Sequence, residues 1–279
     1  MAISLFFSPC PNDTFCFHAM VSGLVDTEGL SFEPVLEDVE QLNQRVLNQC
    51  PDVCKVSYRL VPEIADRYQV LPCGSALGFG NGPLLVARHT SHAITSQTRI
   101  AIPGVHTTAA FLLSFAYPQA GNTHPVLFSE VANAVVRGEF DAGVLIHEGR
   151  FMYKQQGLSL IVDLGQRWEE RTGLPIPLGG IVVSRTLDNA IRQKIARVLY
   201  RSIRYAQEHP TAGDSYIRSH AQEMDSDVIR KHIELFVNDY TLDLGATGRI
   251  AVESLFAQDP RRERGACLNC AELFVPLFL

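Results

Sequence analysis

Short apolar runs alternate with amphipathic stretches along most of the chain. Residues 3–7, 30–35, 52–56, 83–87, 99–102, 126–128, 141–146, 158–164 and 179–183 read as strands, and 69–71 leads into a glycine-rich turn from Gly74 to Gly82. Between them, 14–20, a stretch opening at Asp38, 58–67, 109–117 and 130–137 read as helices. Beyond residue 187 helices dominate, at 187–208, 215–220, 225–237 and 247–257. Strand–helix alternation predicts parallel sheets with helices on both faces. A polar, loop-like stretch at 89–92 opens a new unit, and the first one resumes after Pro175-Ile176-Pro177. The expected plan is two α/β lobes, 1–87 with 180–279 and 88–179, with a ligand cleft between them.

Bulk properties support that plan and remove some partners. A chain of 279 residues is comfortable for two lobes, and 46% hydrophobic with 19% charged residues suits an ordinary globular core. The net charge is −6 and no basic run could track a phosphate backbone, so nucleic acid is not an expected partner. The first residues lack the charged and long apolar regions of a secretory signal, and no apolar run approaches a membrane span. Seven cysteines, an odd number, fit a reduced cytoplasmic protein. Cys50 with Cys54 and Cys267 with Cys270 differ in spacing and lie far apart, which suits incidental cysteines better than a metal site. From residue 258 the tail changes character, a charged turn with Arg261, Arg262 and Arg264 giving way to an apolar end expected to pack on the body or on another subunit.

Ligands of open parallel sheets sit beyond the carboxyl ends of the strands. Four strand-to-helix junctions offer polar groups there: Ser8, Asn12, Asp13 and Thr14; Ser57; His106, Thr107 and Thr108; and His147, Glu148 and Arg150. Thr107 and Thr108 at a helix start could present donors to a substrate carboxylate, although a plain N-cap is the commoner use of threonine. Ser8-Pro9-Cys10-Pro11-Asn12-Asp13 is either a stiff connector or a preorganised ligand wall in which Asp13 meets a substrate hydroxyl. Cys10 has no histidine near it in sequence to serve as a base, so a nucleophilic role is disfavoured. His147 follows six mostly apolar residues, and imidazole titrates near neutral pH as a general base should. Catalysis and packing both remain open for it, with Glu148 or Arg150 as candidates to orient it.

Taken together, several segments closely resemble one family. They are Ser8-Pro9-Cys10-Pro11-Asn12-Asp13-Thr14-Phe15, Asp38-Val39-Glu40 with Leu42-Asn43, Ile102-Pro103-Gly104 with Thr107-Thr108-Ala109, Ala142-Gly143-Val144-Leu145-Ile146-His147-Glu148-Gly149-Arg150, and Gly173-Leu174-Pro175-Ile176-Pro177-Leu178-Gly179-Gly180. They resemble the 1,4-dihydroxy-6-naphthoate synthases of the futalosine pathway of menaquinone biosynthesis. The likeness runs from the N-terminus through His232 to about Ala257, and the tail from Gln258 has no counterpart. The resemblance implies a two-lobed α/β fold of the type II periplasmic-binding-protein kind with an interdomain cleft. It implies lyase chemistry on cyclic dehypoxanthine futalosine, yielding 1,4-dihydroxy-6-naphthoate and dihydroxyacetone, with no metal, nucleotide or flavin cofactor. His147 resembles the family's general base, and Asn43, Ser57, Thr107 and Thr108 resemble substrate-binding positions, with Asp13 as an addition. Asn81 stands where a more apolar or glycine-like residue is expected and receives no role.

The expected ligand is therefore a small anionic, carboxylate-bearing molecule, without nucleic acid or membrane, and both the family and the apolar tail admit a homodimer. Three rival readings share the fold or part of it. A non-catalytic solute-binding protein would be expected to carry an export signal. The sister chorismate dehydratase is disfavoured by His147-Glu148-Gly149-Arg150. A regulator's ligand-sensing domain would need a basic DNA-binding helix.

Overall fold

The computed structural model describes residues 1–89, 93–221, 225–259 and 270–276. Its elements are, in order, β1 (Ala2–Phe7), α1 (Pro11–Val21), β2 (Ser31–Leu36), α2 (Val39–Asn48), β3 (Val53–Ser57), a 3-10 turn (Tyr58–Leu60), α3 (Val61–Ile64), β4 (Tyr68–Val70), β5 (Ala76–Gly78) and β6 (Leu84–Ala87). There follow β7 (Ile100–Ile102), α4 (Thr108–Ala116), β8 (Thr123–Pro125), a 3-10 turn (Phe128–Glu130), α5 (Val131–Val136), β9 (Ala142–Leu145), α6 (Gly149–Met152), β10 (Ser159–Asp163), α7 (Leu164–Thr172) and β11 (Ile176–Ser184). The chain continues as α8 (Asn189–Glu208), α9 (Asp214–His220), α10 (Ser226–Phe236), α11 (Asp239–Leu242), α12 (Gly245–Gln258) and α13 (Cys270–Leu273).

The first sheet runs β2-β1-β3-β11-β4, with β5 also on β11, and the second runs β10-β6-β9-β7-β8. Neither is wholly parallel. Strands β2, β1 and β3 pair in parallel, as do β9, β7 and β8, but β11 is antiparallel to β3 and β6 is antiparallel to β9. Alternation alone could not foresee this, because a strand that enters or leaves a lobe reverses direction without changing its apolar pattern. The same strands shift the lobe edges. β6, read from sequence as the end of the first lobe, hydrogen-bonds in the second sheet, and β11 joins the first sheet from Ile176 onward.

Local differences have equally plain causes. α1 starts at Pro11 rather than Thr14, because proline is tolerated where a helix has no use for the first N–H. Asn12 and Asp13 therefore sit in a helical first turn. The expected strand at 126–128 is displaced to β8, and Phe128 opens a 3-10 turn instead. The expected helix over 58–67 is a 3-10 turn and one short helix, which leaves Tyr68 free to begin β4. α1 is buried on nearly all its surface, and its Cys16 carbonyl accepts a 2.6 Å hydrogen bond from Ser202 of α8.

Residues 273–275 fold back on the body of the chain. Phe274 forms a parallel bridge with Val70, Val275 N–H donates to Val70 at 2.9 Å, and Leu273, Phe274 and Val275 are buried. This part of the apolar tail is thus consumed within the chain. The residues Arg261, Arg262, Arg264 and Cys267, and 90–92 of the polar loop, lie outside the described residues.

Gly82 and Gly165 bring the segment before β6 against the start of α7. A Cβ on Gly82 would lie 2.3 Å from the Gly165 Cα, and one on Gly165 would lie 2.6 Å from the Gly82 Cα. Neither backbone can yield as a side-chain tip would. Gly165→Ala is expected to lower unfolding free energy by about 1–3 kcal/mol, checked by urea denaturation. A change within error would mean that the two segments separate freely.

Candidate functional site

The cleft opens where both sheets present strand ends, and encloses about 690 Å3 of empty space counted to its open mouth. The first sheet supplies Ser8, Asp13, Lys55 and Ser57, and the second supplies Asn81, Thr107, Thr108, His147 and Arg150.

His147 follows β9 and precedes α6, at φ +52°. Left-handed backbone is costly for a residue with a Cβ, by about 1–3 kcal/mol, and histidine is among the few that visit it. Phe128 packs edge-on against its ring at 5.1 Å, and His232 lies nearly parallel to it at 6.0 Å and 12°. Its Nδ1 is 3.5 Å from the Cys10 sulfur. Burial pushes His147 down to about 4; Asp13 acts the other way and Lys55 adds slightly to the depression. The expectation of near-neutral titration is therefore corrected, because desolvation outweighs the opposing Asp13 charge. At neutral pH the imidazole carries no charge.

Asp13 does not wait for a substrate hydroxyl. Its Oδ1 accepts from Lys55 Nζ at 2.8 Å and Asn12 Nδ2 at 2.9 Å, and its Oδ2 accepts from Ser8 Oγ at 2.6 Å and Ser8 N–H at 3.3 Å. Four donors saturate the carboxylate, so Asp13 organises the wall instead of touching ligand. Lys55 also donates to the Gly74 carbonyl at 3.2 Å, leaving one ammonium proton in a side chain that lines the cleft.

Asn12 joins this network to the histidines. Since its Nδ2 donates to Asp13, its Oδ1 must accept, and the 2.9 Å contact with His232 assigns the proton to Nε2 of that ring. His232 is fully buried, and burial holds it well below the ordinary imidazole range.

The remaining expected positions divide. Ser57 lines the cleft, but Asn43 is fully buried behind it, donating to Ser57 Oγ at 3.0 Å and accepting from Ser57 N–H at 2.9 Å. Asn43 therefore positions Ser57 and is not itself a wall residue. Thr107 is the N-cap of α4, accepting from Ala110 N–H at 3.1 Å and donating to Gly104 at 2.8 Å. Thr108 donates to Leu178 of β11 at 2.7 Å, so it ties the two sheets together. Their hydroxyl protons are engaged, and the donors the threonines were expected to add are absent. What this corner offers an anion is the start of α4, whose first N–H groups have no intrahelical acceptor.

Arg150 lines the cleft, donating to the Gly82 carbonyl at 2.6 Å and lying 3.6 Å from Asp163. Glu148 lines a separate surface depression with Phe128 and Met152. Cys10 has a histidine beside it after all, brought from 137 residues away, but burial raises its thiol well above the ordinary range. It is a neutral partner for imidazole, not a thiolate nucleophile. Cys16, Cys50, Cys54 and Cys73 are also free.

From sequence Lys55 received no role, and His232 entered only as a point along the family likeness. Each left a trace: Lys55 is a charge inside a buried strand, and His232 shares a helical face with Val228, Ile229 and Phe236. Among the described residues no group of three His, Cys, Asp or Glu side chains converges as a metal site, and no helix is long and apolar enough to cross a membrane.

Solved structures share the architecture. Protein AF1704 from Archaeoglobus fulgidus superposes with a TM-score of 0.85 at 33% identity, over 92% of this chain and 96% of that one. The Candida albicans CA3427 product, described as having the generic periplasmic binding protein fold, superposes with a TM-score of 0.70 at 12% identity, over 100% of this chain and 98% of that one. The second likeness establishes fold alone. By sequence, the Thermus thermophilus protein named 1,4-dihydroxy-6-naphtoate synthase is 46% identical over 94% of this chain and 95% of its own length. The Streptomyces coelicolor protein of the same name is 38% identical over 92% of each. The profile of the menaquinone biosynthesis family matches residues 3–258. The matched profile and these relatives lead to one assignment: the chain belongs to the menaquinone biosynthesis family, alongside the 1,4-dihydroxy-6-naphthoate synthases.

Proposed function

We propose that the chain is a carbon–carbon lyase that converts cyclic dehypoxanthine futalosine to 1,4-dihydroxy-6-naphthoate and dihydroxyacetone, with His147 as general base. The observation that carries this reading is an uncharged imidazole, strained into left-handed backbone at the wall of an anion-friendly cleft. In the tautomer that donates Nδ1–H to the Cys10 sulfur, Nε2 is the free base. It takes a proton from the sugar-derived part of the substrate, the C–C bond breaks, and aromatisation of the new ring drives release. The substrate carboxylate docks at the start of α4, with Lys55 and Arg150 as further cationic walls. Binding of that anion beside His147 raises the basicity of the imidazole when a proton must be accepted.

Incubating the purified protein with cyclic dehypoxanthine futalosine and detecting both products by mass tests the reaction. Release of neither product, with substrate bound and returned intact, would leave a binding protein and end the lyase reading. The pH profile tests the base. A folded value near 4 means that free protein keeps His147 uncharged from alkaline pH down to well below the ordinary 6.5, so activity is lost only as pH falls towards 4. The acid limb of kcat/KM is therefore expected well under pH 6.5, and a limb at or above that value contradicts the depressed, neutral imidazole.

A further inference from the structure

Asn81 is 2% exposed, lines the cleft, and has no hydrogen-bond partner for either Oδ1 or Nδ2 among the described residues. Burying a primary amide with both ends unpaired costs free energy that an apolar residue would not cost. The amide is nonetheless held in place. A Cβ added to Gly78 would lie 3.0 Å from Asn81 Nδ2 and 2.9 Å from Nδ2 of Asn238, which itself donates to the Leu77 carbonyl at 2.9 Å. The glycine thus lets the Asn81 amide rest against the backbone of β5, where it is preorganised for a ligand.

Strand order says which part of a ligand it meets. β9, which ends just before His147, is flanked by β6 on one side and β7 on the other. The antiparallel pairing of Leu85 with Val144 and Leu84 with Leu145, continued past the strand ends, sets the Gly82 end of its segment across from His147. Arg150 closes that side by bonding to the Gly82 carbonyl. The start of α4 follows β7, on the opposite side. Along the rim of the second sheet the order is therefore Asn81, His147, α4 N-terminus, and two strand spacings, about 10 Å, separate the outer pair.

We propose that Asn81 is a specificity-determining residue that donates to and accepts from a hydroxyl of the sugar-derived part of the substrate, opposite the carboxylate end. This rests on the lyase reading above. A hydroxyl offers one donor and acceptor lone pairs, which matches both ends of the amide, whereas a carboxylate would leave Oδ1 unsatisfied. The proposal orients the substrate: carboxylate at α4, reacting carbon at His147, hydroxylated portion at Asn81.

Calorimetric titration in a His147→Ala background, where substrate is not consumed, tests it with two probes: cyclic dehypoxanthine futalosine and 1,4-dihydroxy-6-naphthoate. Asn81→Leu, with the same branching at Cγ but bulkier and apolar, is expected to weaken substrate binding about tenfold and to leave naphthoate binding unchanged. The same substitution should raise the melting temperature of the unliganded protein, since an unpaired buried amide is removed; Asn81→Ala gives a second readout should leucine overpack. Equal weakening of both probes, or of neither, overturns the hydroxyl contact while leaving the lyase reading intact. If the His147→Ala protein binds no cyclic dehypoxanthine futalosine and the unsubstituted protein releases no naphthoate, the lyase reading falls and the Asn81 proposal with it.

Discussion

His147→Ala is expected to reduce naphthoate release by about two to four powers of ten, the usual contribution of a positioned general base. The loss should fall on kcat, because His147 is given no role in holding the substrate carboxylate. Loss of fold is a poor alternative explanation at this position. The side chain faces a cleft, and alanine inherits the same strained φ of +52° that histidine already bears. His147→Asn is the sharper control, since asparagine tolerates left-handed backbone and can bond to Cys10 but is no base at neutral pH. His147→Gly should relieve the strain and preserve or increase stability while remaining inactive. Thermal melts beside steady-state assays separate the two effects. Turnover near the unsubstituted rate in any of the three would remove His147 from the chemistry.

Lys55→Met should be the most destabilising change at the cleft. Lys55 and Asp13 are both almost fully buried and 2.8 Å apart, with side-chain exposures of 7% and 3%. Removing one partner of such a pair strands the other charge in a medium that solvates it poorly, a loss of about 3–5 kcal/mol. Methionine keeps most of the lysine volume, so the loss reports charge and not a cavity. The double change Lys55→Met with Asp13→Asn should recover part of it, because no ion is then left unpaired. A chemical denaturation midpoint that barely moves for the single change would mean that water reaches the pair freely. Catalysis should respond as well. Asp13 raises the basicity of His147 and Lys55 lowers it, so losing the lysine should shift the acid limb of kcat/KM upward.

Much of the site lay in the sequence because the chemistry sits where strands end. The apolar run to residue 146 and the polar groups after it placed His147 at a strand mouth, and the turn after Phe7 marked Ser8 and Asp13. Residue type alone did not separate a wall residue from its support. Asp13, Asn43, Thr107 and Thr108 all looked able to meet ligand, yet Asp13 is saturated by four donors, Asn43 stands behind Ser57, and both threonine hydroxyls donate to backbone carbonyls. Hydrogen-bonding capacity is a property of a side chain, but whether it is already used depends on neighbours that fold brings in.

Local pattern determined the α/β class, the order of most elements, the two-lobed plan and the strand-end position of the histidine, since all of these follow from apolar periodicity and turn residues that short segments carry themselves. Strand direction was beyond it, because β6 and β11 are as apolar as their parallel neighbours and only pairing reveals the reversal. The state of His147 was also decided in three dimensions. Cys10, Phe128 and His232 converge on it from three distant segments, and desolvation in that setting moves the imidazole's titration well below its ordinary range. Asn81 shows the same division: in sequence it was an unexplained polar residue in a glycine-rich turn, and only burial without partners, beside the cleft, marks it as a group awaiting a ligand.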